Sequence, residues 1–182
     1  MKLLRARMKM TRILYVVEGE IEKRFINQLT RQDLIKPGRV KKFNLMQKEL
    51  KNSNDILTNK YDYTICVIDS DCTEKCHCTF LRENIKQLRT VGNVLVMVQN
   101  KNFEDELEYI LQKPLEECFN LRYSSPSDIK KFLAQKIEYK NYLNKKHVQR
   151  YCMRNQDFVQ IYESYGYKPF KNRLITAEKI IL

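Results

Sequence analysis

The sequence predicts an α/β fold, a parallel sheet flanked by helices, followed by a basic helical extension at the C-terminal end. Three features predict it. Short, continuous apolar runs rich in Val and Ile have the composition of strands buried on both faces, as in parallel sheets. Segments with apolar residues at helical spacing separate these runs, so strand and helix alternate. Beyond Pro126 only helical patterning remains, and the chain there becomes rich in Lys and Tyr.

The elements follow in order. Ile13-Leu14-Tyr15-Val16-Val17 is β-branched and aromatic, fit for a buried strand that Glu18-Gly19 terminates. Glu22 to Thr30 then places Phe25, Ile26 and Leu29 at helical spacing. After the Pro37-Gly38 turn, a weaker strand is expected over Arg39 to Leu45, and an amphipathic helix over Met46 to Leu57. Tyr63 to Ile68 is the strongest strand in the sequence and runs into Asp69-Ser70-Asp71. A helix over Phe80 to Arg89, a buried strand over Asn93 to Val98 and a helix over Phe103 to Leu111 continue the alternation. The extension reads as helices over Ser127 to Leu143, Val148 to Tyr165 and Asn172 to Ile181.

At 182 residues the chain is long enough to bury a core without disulfide or metal staples. It divides into an α/β part, residues 1–120, and a basic helical extension, residues 121–182, expected to pack on the same domain. The 34 Lys and Arg against 22 Asp and Glu give a net charge of +12. That excess is uneven: residues 1–120 hold 21 basic and 17 acidic residues, residues 121–182 hold 13 and 5. Such a chain is suited to polyanions, because neutralising phosphates releases counterions. A merely solvated basic surface is the plainer reading of the same charge. No stretch approaches the roughly 20 apolar residues of a membrane span, and the run Ile13–Val17 is too short for a signal-peptide core. The expectation is a cytoplasmic protein with no membrane partner, its six Cys reduced.

Ligands of open parallel sheets bind at the carboxyl ends of the strands. Three expected strands run into acids at or just past that edge: Glu18 after the first, Asp69 and Asp71 after the third, and Glu104 soon after the fourth. Clustered carboxylates repel and call for a compensating cation. Hard oxygen donors favour Mg²⁺ or Mn²⁺ over zinc. In a basic protein, a carboxylate-held metal implies phosphate chemistry.

The motifs resemble those of Toprim domains. Val16-Val17-Glu18-Gly19-Glu20-Ile21-Glu22 is similar to the first Toprim motif, an apolar strand, Glu-Gly, and an acid four positions after the Glu. Val67-Ile68-Asp69-Ser70-Asp71, roughly fifty positions later, is similar to the second, Asp-x-Asp at a strand end. Within that class the chain resembles RloB proteins, small stand-alone Toprim proteins of restriction and phage-defence loci, related to the overcoming-lysogenization-defect (OLD) nucleases. Their third motif, Asn-Pro-Cys-Phe-Glu-x-Trp-Leu, is matched by Asn100, Phe103, Glu104 and Leu107, while Lys101, Asn102 and Glu106 depart from it. The resemblance covers about residues 12–112, and Tyr139-Lys140 and Ala177-Glu178-Lys179 loosely echo the family's C-terminal half.

This resemblance implies a Toprim, Rossmann-like sheet and a Mg²⁺- or Mn²⁺-dependent nuclease in bacterial defence against phage or foreign nucleic acid. Asp69 and Asp71 would be metal ligands, and Glu18 a ligand or the general acid/base. Glu22 would be a further ligand, or simply a charge at a helix N-terminus, and Glu104 would complete the site. Glu20 reads as solvent-exposed. Lys101 reads as a surface lysine, or as a cation for transition-state charge. The implied partners are nucleic acid, DNA or RNA, an ABC/AAA-type ATPase encoded nearby, and a second copy in a homodimer. Two alternatives stay open: an RNA-processing Toprim nuclease, and a non-catalytic nucleic-acid-binding module acting with an ATPase.

Two further features are set aside. Cys72, Cys76, His77 and Cys78 look like half a zinc site, but tetrahedral zinc usually takes two separated pairs and neither Cys118 nor Cys152 stands in one. Reduced loop thiols are the better reading. Nothing selects one of the eleven Tyr as a covalent nucleophile, and the chain is too short for the strand-passing body of a topoisomerase.

Overall fold

The computed structural model describes residues 11–51, 54–69, 78–99, 101–121, 125–135 and 137–153. Four strands, β1 (Ile13–Val17), β2 (Arg39–Lys42), β3 (Tyr63–Asp69) and β4 (Asn93–Gln99), form one sheet in the order β2-β1-β3-β4. Every pairing is parallel, with Val17 opposite Val67 and Asp69 opposite Gln99. The α/β class expected from the apolar runs is therefore observed. From β1 the chain steps to β2 on one side and then crosses to β3 on the other. The strand order reverses between β1 and β3, the switch point at which such sheets open a crevice beyond their carboxyl ends.

Strand side chains alternate between two cores, as a pleated strand demands. Ile13, Tyr15, Val17, Ile65 and Val67 face α1 (Glu20–Arg31), α4 (Phe103–Leu111) and the C-terminal helices, while Leu14, Val16, Cys66 and Ile68 face α3 (Cys78–Val91) and Ile56 of α2 (Asp55–Thr58). All five β1 residues are buried, which explains a run with no polar residue. Burial also pushes the Cys66 thiol up to about 12, an inert core sulfur.

Edge strand β2 is shielded by charge. Arg39 and Lys41 both pair with Asp55, and Lys42 pairs with Glu20 at 2.7 Å. Gly38, just before β2, sits where a Cβ would come within 2.7 Å of the Ile13 carbonyl oxygen, so only glycine lets the chain approach β1 this closely.

The described part of the extension packs on the α1/α4 side of the sheet. It comprises α6 (Pro126–Gln135), a 3₁₀ turn at Tyr139–Asn141 and α7 (Lys145–Met153), preceded by a short α5 (Leu115–Phe119). Arg24 of α1 donates to the carbonyls of Ala134, Gln135 and Ile137 at 3.1, 2.8 and 3.0 Å, closing the C-terminal end of α6. Gln28 donates to Ile137 O (2.9 Å) and accepts from Tyr139 N–H (2.7 Å), and Arg150 caps α4 through Ile110 O (2.6 Å).

Two expected helices differ. Over Met46 to Leu57 the described residues hold a turn at Leu45–Gln47 and only the short α2, although Leu45, Met46, Leu50 and Ile56 are all buried. The apolar spacing was a core signal, but side chains rather than helical hydrogen bonds satisfy this backbone. Asn44 Oδ1 accepts from the N–H groups of Met46 and Gln47, and buried Asn84 clasps Leu45 O, Lys48 O and Leu50 N–H. The expected helix over Ser127 to Leu143 stops at Gln135, where the Arg24 and Gln28 contacts take over the carbonyls. The expected helix from Val148 begins at Lys145 and is described to Met153; the remainder, and the one over Asn172 to Ile181, lie outside the described residues. Among the described residues no helix is long and apolar enough to cross a membrane.

Candidate active site

The parallel sheet brings its carboxyl ends to one edge, and the first acids there follow directly from where β1 and β3 stop. Glu18 is the residue after β1 and Asp69 is the last of β3. Glu18 Oε1 accepts the Asp69 N–H at 3.2 Å, and Oε2 accepts Nδ2 of Asn44, just past β2, at 3.0 Å. One carboxylate thus links the ends of three neighbouring strands, and its side chain is fixed across the switch point. Asn44 is fixed in turn by the turn it caps, and that turn by Asn84 of α3.

A second pair of acids stands at two helix N-termini. Glu22 is the third residue of α1, Gly19 its N-cap, and Glu104 is the second residue of α4. Glu22 folds back over Gly19: a Cβ at residue 19 would lie 2.5 Å from Glu22 Oε2, so the glycine after Glu18 leaves the space this carboxylate occupies. Burial, and then the charge of Glu104, hold the Glu22 carboxyl above its ordinary pKa, against the pull of the N–H groups of Glu22 and Gly19 and of Lys130. Lys130 Nζ, from α6, stands 3.9 Å from Glu104 Oε1.

The predicted acids therefore fall into two pairs, Glu18 with Asp69 and Glu22 with Glu104. Asp71 lies outside the described residues, as do the side chains of Cys72, Cys76, His77 and Cys78. Among the described residues no three His, Cys, Asp or Glu side chains converge closely enough to hold a metal ion. In kind, the donors suit a hard divalent cation, being carboxylates throughout. The raised Glu22 pKa is the electrostatic condition that a neighbouring cation would reverse. Glu20 is exposed and pairs with Lys42 and Lys23. Lys101 adopts a left-handed φ of 57° between β4 and α4, and its ammonium lies 4.0 Å from Asp105.

An aromatic layer underlies both helix ends. Phe25, one turn after Glu22, meets Phe103 and Tyr139 edge-on at 5.0 Å and Tyr151 at 5.3 Å. Phe103 immediately precedes Glu104, so the extension's Tyr139 and Tyr151 help position the second acid pair. Gln99, which ends β4 beside Asp69, donates to Tyr151 Oη at 3.2 Å.

Sequence reasoning missed Asn44, Lys130 and the buried acid Glu106. The strand-end rule that found Glu18 extends to Asn44, two residues past β2. Glu106 lies on the face of Phe103, Leu107 and Ile110, a position the helical spacing gives. Lys130 had no signal, being supplied by packing of α6 against α1.

Compared with family models, curated proteins and solved structures, this chain gives no match.

Proposed function

We propose that this chain is a Mg²⁺- or Mn²⁺-dependent nuclease of the Toprim class, most similar to RloB proteins, with Glu18, Asp69, Asp71 and Glu104 as its acids. One observation carries the reading: the Glu18 carboxylate spans the β1/β3 switch point of a parallel sheet and binds the backbone of Asp69. A carboxylate held there, with a second acid beside it, is poised for a cation and a phosphodiester in the same crevice. Asp69 and Asp71 would hold a cation, which would supply Lewis acidity and lower the pKa of a water; Glu18, anchored through Asn44, would serve as a further ligand or as the general acid/base. Glu22 and Glu104 would complete the site as further ligands, with Lys130 offsetting their repulsion. The net charge of +12 favours polyanionic partners, and the resemblance to RloB proteins suggests a setting in defence against foreign nucleic acid.

A second reading has one specific observation in its favour. Both Glu18 carboxylate oxygens accept hydrogen bonds, from the Asp69 N–H and the Asn44 amide, a structural use of the acid. That arrangement suits a nucleic-acid-binding module that keeps its acids structurally and acts with an ATPase. Digestion of plasmid, single-stranded DNA and tRNA with Mg²⁺ or Mn²⁺ separates the readings. The nuclease cuts at least one of them, and Asp69→Ala lowers the rate by about 10²–10⁴-fold, as loss of a group acting in the chemical step does. Salt-dependent binding without turnover under either metal favours the module.

A further inference from the structure

We propose that the groove between α1 and the α6–Tyr139 segment is the track along which a nucleic-acid strand lies as it enters the acid site; this rests on the nuclease reading above. The groove encloses about 610 Å³ and is lined by one face of α1, from Glu20 to Gln32, and by Ala134, Glu138 and Lys140 across from it. Glu20 belongs to the same helical turn as Glu22, so the groove opens at the carboxyl edge of the sheet. With 12 residues at about 1.5 Å rise each, α1 is long enough for several consecutive nucleotides of one stacked strand at ~3.4 Å apiece.

The lining has the chemistry of phosphate contact. Arg31 and Lys140 supply cations, Lys23 a third that it shares with Glu20, and Asn27 and Gln32 supply side-chain amides; Glu138 is the second acid of the lining. Among the described residues Arg31 and Lys140 make no ion pair with any acid, and the acid at the mouth, Glu20, is offset by Lys42 and Lys23. The floor is rigid, because Arg24 and Gln28 are spent on the carbonyls of Ala134 to Ile137 and the Tyr139 N–H. Ala134 is the one apolar side chain among the ten lining residues, so nothing here would enter a lipid surface or grip an apolar peptide.

The test is fluorescence anisotropy of labelled oligonucleotides with the full chain in EDTA, titrated over salt, so that binding is read without cleavage. Arg31→Glu/Lys140→Glu is expected to weaken binding at least about tenfold and to lower the slope of log K against log salt by about 1 or more. Lys86→Glu, on α3 across the sheet, is the control and is expected to bind as the wild type does. Unchanged affinity and slope in the double variant, with melting unaltered, would overturn the track. So would equal loss with Lys86→Glu, or competition by polyglutamate as effective as by oligonucleotide. Because the nuclease reading is judged on cleavage by Asp69→Ala, its failure is read separately from loss of binding by the groove variants.

Discussion

At Glu18 a substitution can separate charge from hydrogen bonding. The carboxylate accepts from both the Asp69 N–H and the Asn44 amide, so Glu18→Ala strips two donors of a partner, at about 1–3 kcal/mol for each one left buried. Glu18→Gln keeps one acceptor and the shape of the side chain. The expected outcome is loss of metal-dependent cleavage in both variants, with a thermal midpoint close to wild type only for Glu18→Gln. Glu22 behaves differently. Its carboxyl is raised above the ordinary 4.5, first by burial and then by Glu104. The folded state therefore binds the extra proton, and its contribution is whole below about pH 4.5 and lost as pH rises through the raised value. Glu22→Gln removes that loss. In EDTA near neutral pH its midpoint should exceed wild type, with a flatter dependence on pH. A lower midpoint at neutral pH would show that the charged Glu22 has a stabilising partner there.

The loop after β2 shows how an element can be correct in its core residues and wrong in its form. Leu45, Met46, Leu50 and Ile56 are spaced as on a helix and all are buried, yet Asn84, 34 residues beyond Leu50, holds this backbone in another shape. A contact that distant leaves no trace in local periodicity. The strands were readable because a parallel strand buried on both faces must be apolar throughout, which β1, β3 and β4 largely are. The same dependence makes Asn84 a sensitive position. Asn84→Asp keeps the acceptor for Leu50 N–H but cannot donate to Leu45 O and Lys48 O. It is expected to destabilise by about 2–4 kcal/mol in chemical denaturation and, through Asn44, to weaken cleavage. Stability equal to wild type would remove Asn84 from the support of the site.

Across the whole molecule the described part of the extension belongs to the core. Phe25 packs against Tyr139 and Tyr151 as closely as against Phe103, and Arg24 and Gln28 are committed to residues 134–139. A chain ending at Leu121 exposes that aromatic layer and strands those polar groups. It is expected to lack a cooperative melting transition, while a soluble, cooperatively folded product would show that the α/β part stands alone. The site itself was partly readable. Strand-end acids are fixed by topology, which places Glu18 and Asp69 together, whereas the closeness of Glu22 to Glu104 depends on how α1 and α4 pack, and Lys130 on α6. In the function proposed above, the carboxylates at the β1/β3 switch point hold a cation for phosphodiester hydrolysis. The most direct measurement is cleavage of plasmid, single-stranded DNA and tRNA under Mg²⁺ or Mn²⁺ by wild type and Asp69→Ala, matched for folding by thermal melt. A metal-dependent cut that Asp69→Ala loses is expected; wild-type-like cleavage by a folded Asp69→Ala would overturn the assignment.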